Sequence, residues 1–361
     1  MSGIVLVAPG ALKGTLGPRT VAQAMVAGVR AALPGASVAA LPVSDGGDGL
    51  LEALVPAGER RDRLAVTGPL GAPVGAEIGW LDDGAAIVES AAACGLRLVP
   101  EGERAPLVST TRGVGDLLIA AERVGARQVY VGLGGSATVD GGTGMARALG
   151  WAFRDHDGAL LPEGGGALDR LATVEPGPDL STEVIGLADV ANPLLGPRGA
   201  AVTFAPQKGA DPAGVLQLER GLTALAGWAG RCGRGDVVER PGAGAAGGLG
   251  AGLCLFAGAR LEPGAPWVLE RVGFDRALAR ARCVLTAEGA FDATSLVGKA
   301  TGEIVRRAAA SGIPVGVIAG RADRDGGVPV FTPPGGERLD VEGIARLTAR
   351  AVLVVLGLPG P

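Results

Sequence analysis

Apolar positions in this chain come in short blocks that alternate between two periods. Residues 4–8 are a β-branched run that reads as a buried strand; after a Gly/Pro loop, positions 20–33 carry helical periodicity and 37–43 read as a second strand. Strand–helix–strand spacing opens a parallel sheet. Two alternating runs, 74–80 and 85–89, flank Asp82-Asp83-Gly84 and predict a hairpin. A hairpin does not belong inside a doubly wound sheet, so a change of domain is expected near Pro69. A helix over 111–124 leads into a strand over 128–132, and another helix begins after the glycines at 141–144. Residues 155–185 read as surface loops, and 212–231 as a helix capped by Asp211. The stretch 242–258 fits either a tightly packed helix or a loop. Near the end, 283–287, 302–310 and 315–319 repeat strand–helix–strand, and 341–356 is helical. The pattern predicts an α/β protein. A Rossmann-like parallel-sheet domain is built from both chain ends (1–69 and 282–361), and a second α/β domain (70–281) is inserted between them. Residues 125–150 are assignable to either domain, and an active-site cleft is expected between the two.

Composition narrows the function. With 361 residues, 47% of them apolar, the chain can bury a large core despite its 64 glycines. A net charge of -4 without basic runs, and only 3% aromatics, argue against a nucleic-acid binder. No apolar stretch reaches the roughly 20 residues of a membrane span, and no basic segment precedes residues 4–8, so neither a membrane anchor nor a signal peptide is expected. The four cysteines are widely spaced and read as core residues. These features point to the cytoplasm. Positive charge is written almost wholly as Arg: the only lysines are Lys13, Lys208 and Lys299, each beside a glycine. A compact ammonium is wanted where a point charge meets phosphate.

Four segments carry candidate chemistry. Residues 131–142 follow a strand and precede a helix, so the amides around Gly134 and Gly135, with the hydroxyls of Ser136 and Thr138, suit a phosphate or carboxylate. Asp45-Gly46-Gly47-Asp48-Gly49 follows the second strand, at the carboxyl edge where open α/β sheets bind ligands, and paired carboxylates there suit Mg²⁺. Asp189, Asn192 (the only Asn), Arg198 and Lys208 fall within twenty residues of loop, a set fit for a general base, a metal or hydroxyl ligand and phosphoryl-charge stabilisers. Glu288 and Asp292 follow a strand, ahead of Gly298-Lys299.

Two motifs mislead. Gly242-x-Gly244-x-x-Gly247 matches a dinucleotide fingerprint, but Glu239-Arg240-Pro241 is a poor strand end. Gly298-Lys299 is followed by Ala300, so it is no P-loop. The lone His156 reads as a solvated loop residue. The residues alone thus predict an α/β enzyme with an anionic, phosphorylated ligand. A nicotinamide (NAD(P)) oxidoreductase and a non-catalytic binding protein stand as alternatives.

Taken together, the segments resemble the glycerate kinase family from about residue 4 to 320, most specifically over 42–49, 132–150, 189–209 and 241–252. The resemblance implies ATP and Mg²⁺, small-molecule partners only, and phosphorylation of D-glycerate, giving 2-phosphoglycerate; a homodimer is compatible with it. Under it, Asp189 takes the acceptor proton, and Lys208 and Lys299 stabilise charge. Lys13, Gly134, Gly135, Ser136, Thr138, Asn192, Arg198 and Glu288 contact nucleotide, phosphate or substrate, and Asp45 and Asp292 hold Mg²⁺. The chain departs from the family's usual residues at Gly10-Ala11-Leu12, Val139 and Ala290, which leaves open an acceptor other than glycerate.

Overall fold

A computed structural model of the chain describes residues 3–12, 15–56, 58–293, 295–296, 298–323, 327–336 and 338–359. In chain order its strands are β1 (Ile4–Val7), β2 (Val38–Ala40), β3 (Arg61–Thr67), β4 (Pro73–Trp80), β5 (Ala86–Glu89), β6 (Gln128–Leu133), β7 (Ala152–Arg154), β8 (Thr173–Glu175), β9 (Glu183–Ala188), β10 (Arg260–Pro263), β11 (Ala281–Phe291), β12 (Val315–Ala322) and β13 (Val330–Phe331). The chain divides into two compact units, residues 1–56 with 264–361 and residues 57–263. Pro69, where the sequence pattern places a change of domain, lies in the turn between β3 and β4, and residues 125–150 lie in the second unit.

The first unit holds a five-stranded sheet in the order β13-β12-β11-β1-β2, with every pairing parallel. Both faces are covered, as a parallel sheet requires. Val5, Val7, Leu285 and Ile318 share one cluster with Met25 and Ile344 from helices Pro18–Ala32 and Val341–Val355. The neighbouring Val317 and Ala319 instead join Phe291 and Val305 on the other face. The two helices pack closely because position 28 is glycine: a Cβ there would lie 2.2 Å from the Ala345 carbonyl oxygen. Asp340 caps the last helix by accepting from Gly343 N at 2.6 Å. In this order β1 sits between β2 and β11, so chain progression reverses between β1 and β11. That reversal is the switch point at which doubly wound sheets open a crevice beyond their carboxyl ends.

The second unit is built on a six-stranded mixed sheet, β10-β9-β6-β5-β4-β3, plus the small β7-β8 pair. β10, β9, β6 and β5 run parallel, while β3, β4 and β5 form antiparallel hairpins. Asp83 stabilises the turn between β4 and β5 by accepting from Ala85 N at 3.1 Å. The helix Pro212–Arg231 starts at Asp211, whose carboxylate accepts from Gly214 N at 2.7 Å. The ambiguous 242–258 stretch is the helix Ala245–Phe256, with left-handed backbone at Ala246 (φ 51°), Gly247 and Gly248 in its first turn. No helix among the described residues is long and apolar enough to cross a membrane.

Candidate functional site

A pocket of about 310 Å³ opens in the first unit, at the switch point. β1 runs on beside β11 past its own end: Ala8 N donates to the Leu285 carbonyl and Gly10 N to that of Ala287. The loops leaving the two strands then part, and Gly10, Ala11, Glu288 and Asp292 line the gap. The loop after β2 adds Ser44, Asp45 and Asp48. It is held in shape locally, since Gly46 N donates to Ser44 Oγ and Gly47 N to Asp45 Oδ1, both at 3.2 Å. Gly264 seats it from behind; a Cβ there would come within 2.2 Å of the Asp45 carbonyl oxygen.

The remaining wall is the N-terminus of the helix Ala300–Ala310, with Lys299 as its N-cap residue. Gly298 precedes it at φ 77°, a left-handed conformation that costs glycine little. Free first-turn amides and the positive end of the helix dipole make this wall attractive to an anion. Lys299 Nζ lies 4.0 Å from Asp292 Oδ1. Glu288, on the central strand, is only 9% exposed. Burial pushes its pKa up to about 7, and the charges of Asp292 and Asp45 push the same way. A hydrogen bond from Ser295 and the charge of Lys299 oppose them. Four acids or bases named from the sequence, Asp45, Glu288, Asp292 and Lys299, therefore meet in one pocket.

The second unit gathers a different set. The turn after β6 presents only Gly134 and Gly135 toward solvent; Ser136 and Thr138 are buried. Lys208, 3% exposed, reaches them from beneath, donating from Nζ to Ser136 Oγ at 2.8 Å and to the Thr138 carbonyl at 2.7 Å. Burial pulls its pKa down to about 8 against the pull of Cys94 and Asp140. Asp140 is wholly buried and accepts from Thr111 N, Thr111 Oγ1, Gly142 N and Gly144 N at 2.8–3.1 Å. Burial drives its pKa upward while these donors pull it back, and the neighbouring Cys94 thiol is pushed up to about 12. Asp189 follows β9, and Asn192 Nδ2 closes the next loop by donating to the Arg198 carbonyl at 2.7 Å; the Arg198 side chain is exposed. Lys13 lies outside the described residues.

Sequence reasoning gave no role to Ser44, Ser295, Thr111, Cys94 or Asp140. Only Asp140 carried a signal, standing within the glycine-rich segment itself. The dinucleotide-like glycines are taken up by packing: a Cβ at Gly244 would meet the Pro193 carbonyl oxygen at 2.2 Å, and one at Gly247 that of Thr138 at 1.9 Å. They offer no cradle for a pyrophosphate.

Among the described residues, no group of three or more His, Cys, Asp and Glu side chains could hold a metal unaided. A hard cation that also binds phosphate oxygens needs only one or two carboxylates. Asp45 and Asp292 supply them in the same pocket, close enough to perturb Glu288. The donor set fits Mg²⁺.

The model of the glycerate kinase family matches residues 5–329. The glycerate kinase of Bacillus subtilis (strain 168) is 41% identical over 327 residues, covering 89% of this chain and 86% of that protein. The glycerate 2-kinase of Escherichia coli (strain K12) is 41% identical over 330 residues, covering 90% and 87%. The crystal structure of "putative glycerate kinase 2" from Salmonella typhimurium LT2 superposes with a TM-score of 0.82 at 37% identity, over 99% of each chain.

Proposed function

The chain belongs to the glycerate kinase family, and on that premise we propose that it transfers the terminal phosphoryl group of ATP to D-glycerate, giving 2-phosphoglycerate. The observation that carries this reading is the convergence of Asp45, Glu288, Asp292, Lys299 and a helix N-terminus on one pocket at the sheet's switch point. Phosphoryl transfer asks mainly for positioning and for charge placed around the moving group.

Asp45 and Asp292 would hold Mg²⁺, which when bound neutralises phosphate oxygens of ATP. Lys299 and the first amides of the helix Ala300–Ala310 stabilise the negative charge that spreads over the equatorial oxygens in the transition state. Lys299, as the N-cap residue, adds its ammonium charge at the same helix N-terminus. In the second unit, the amides of Gly134 and Gly135 form the anion-facing part of the turn, and Lys208 fixes that turn from inside. Asn192 and Arg198 shape the loop after β9.

ADP release from ATP and Mg²⁺, with and without D-glycerate, tests the activity. Coupling to enolase alone, against phosphoglycerate mutase plus enolase, reads out which hydroxyl was phosphorylated. A signal with enolase alone is expected. ADP formation that does not depend on D-glycerate contradicts the proposed acceptor.

A further inference from the structure

We propose that Glu288, rather than Asp189, is the catalytic base that removes the proton from the acceptor hydroxyl. The inference rests on the kinase reading above and names a residue for its proton-transfer step. Glu288 stands on β11, the central strand of the sheet, paired across from Ala319 of β12 and one residue beyond the point where Gly10 N caps the Ala287 carbonyl. The backbone there is held on both sides, so the side chain leaves a fixed point at the mouth of the switch-point pocket.

Its carboxylate lines the pocket with one oxygen lacking a donor among the described residues. The residue is 9% exposed, and its Oε1 is buried with no hydrogen-bond partner among the described residues. A buried carboxylate oxygen left without a donor is costly, and a catalytic role is one of the few reasons a native structure keeps one. The partner that suits it is a hydroxyl, which donates its hydrogen to Oε1. Ser295, which hydrogen bonds to the carboxylate, also accepts from Asp292 N at 3.0 Å, tying the base to the loop that carries Asp292.

In the step itself, the O–H bond of the acceptor hydroxyl breaks and its proton passes to Glu288 Oε1. The oxygen's electron pair forms the bond to the terminal phosphorus of ATP. The bond from that phosphorus to the bridging oxygen breaks, its pair leaving on ADP, and Glu288 later returns the proton to water.

The test compares wild type, Glu288→Gln and Glu288→Asp, with melting temperature recorded for each. We expect Glu288→Gln to lower kcat by about 10²–10⁴, the usual share of a positioned base. Dissociation constants for ATP and D-glycerate, from calorimetry, should stay within about threefold, since binding energy common to ground and transition states is untouched. Half-saturation by Mg²⁺ should not move, and Glu288→Asp, which keeps a carboxylate, should recover part of the turnover. Near-normal kcat in Glu288→Gln overturns the assignment, and so does a loss that is repaired by raising Mg²⁺. Turnover abolished in Asp189→Asn but kept in Glu288→Gln would return the role to Asp189. A wild-type protein that forms no ADP with D-glycerate instead defeats the functional reading on which the assignment rests.

Discussion

Lys208 donates from Nζ to the Ser136 hydroxyl at 2.8 Å from a position that is 3% exposed. A lysine that sequence alone would aim at phosphate is thus a strut under the turn between β6 and the following helix. Its burial has a thermodynamic signature. The folded-state pKa, about 8, lies below the 10.5 of the unfolded chain. Below pH 8 both states bind the proton and the cost of the buried charge is fully present. Between pH 8 and 10.5 the unfolded state binds more protons, so stability from this group rises with pH. Urea midpoints measured across that window should climb for wild type relative to Lys208→Met; parallel curves would contradict the buried, depressed ammonium.

Lys299→Ala should cut kcat by about 10²–10³, the effect of losing one charge-stabilising donor. The side chain is partly exposed and its cap is a backbone feature, so the melting temperature should hardly change. Steady-state kinetics beside a thermal melt separates the two effects. Unchanged turnover removes Lys299 from the chemistry.

Asp45→Asn and Asp292→Asn should each raise the Mg²⁺ concentration needed for half-maximal rate, because each removes one of the two carboxylates that a hard cation would use in this pocket. The measurement is a Mg²⁺ titration of initial rate at saturating ATP. Identical titration curves for wild type and both variants would place the cation elsewhere.

Gly264→Ala tests the scaffold instead of the chemistry. The added methyl meets the Asp45 carbonyl oxygen at 2.2 Å and the Gly46 Cα at 2.6 Å, both backbone atoms that cannot swing aside. A loss of roughly 1–3 kcal/mol in chemical denaturation is expected from this overpacking. The Mg²⁺ requirement should move with it, since the loop that carries Asp45 is displaced.

The first unit was largely readable because its helices and strands follow their periods, although β11 runs on to Phe291, so that Glu288 stands within the strand and not after it. The second unit was harder. β3 went unassigned: it opens on the charged Arg61-Asp62-Arg63, and Trp80 Nε1 and the Arg60 guanidinium both pair with Asp62 along it. β9 was hidden by Gly186, which looks like a turn residue. A Cβ there would press on the side-chain ends of Leu261, Leu133 and Leu253, at 2.6–3.2 Å, so the glycine leaves room for their packing. Within the site, Asp45, Glu288, Asp292 and Lys299 were visible from residue type and position. The inward turn of Ser136 and Thr138 was not, because it depends on Lys208, seventy positions away, arriving underneath.

The strand order of the first unit also bears on how the chain acquires its shape. β1 lies against β11, and the Thr286 hydroxyl donates to the Ala8 carbonyl across 278 positions of sequence. Residues 57–263, by contrast, are continuous and carry their own core. On a ribosome that middle segment is free to collapse while the first two strands still lack their central neighbour, since domains fold as units once they emerge. The pocket, drawn from both ends of the polypeptide, cannot form before residues 287–301 are made. Long-range parallel pairing of this kind is the slow, entropy-limited part of folding, and a chain released before β11 is made carries an intact middle and no place for the reaction.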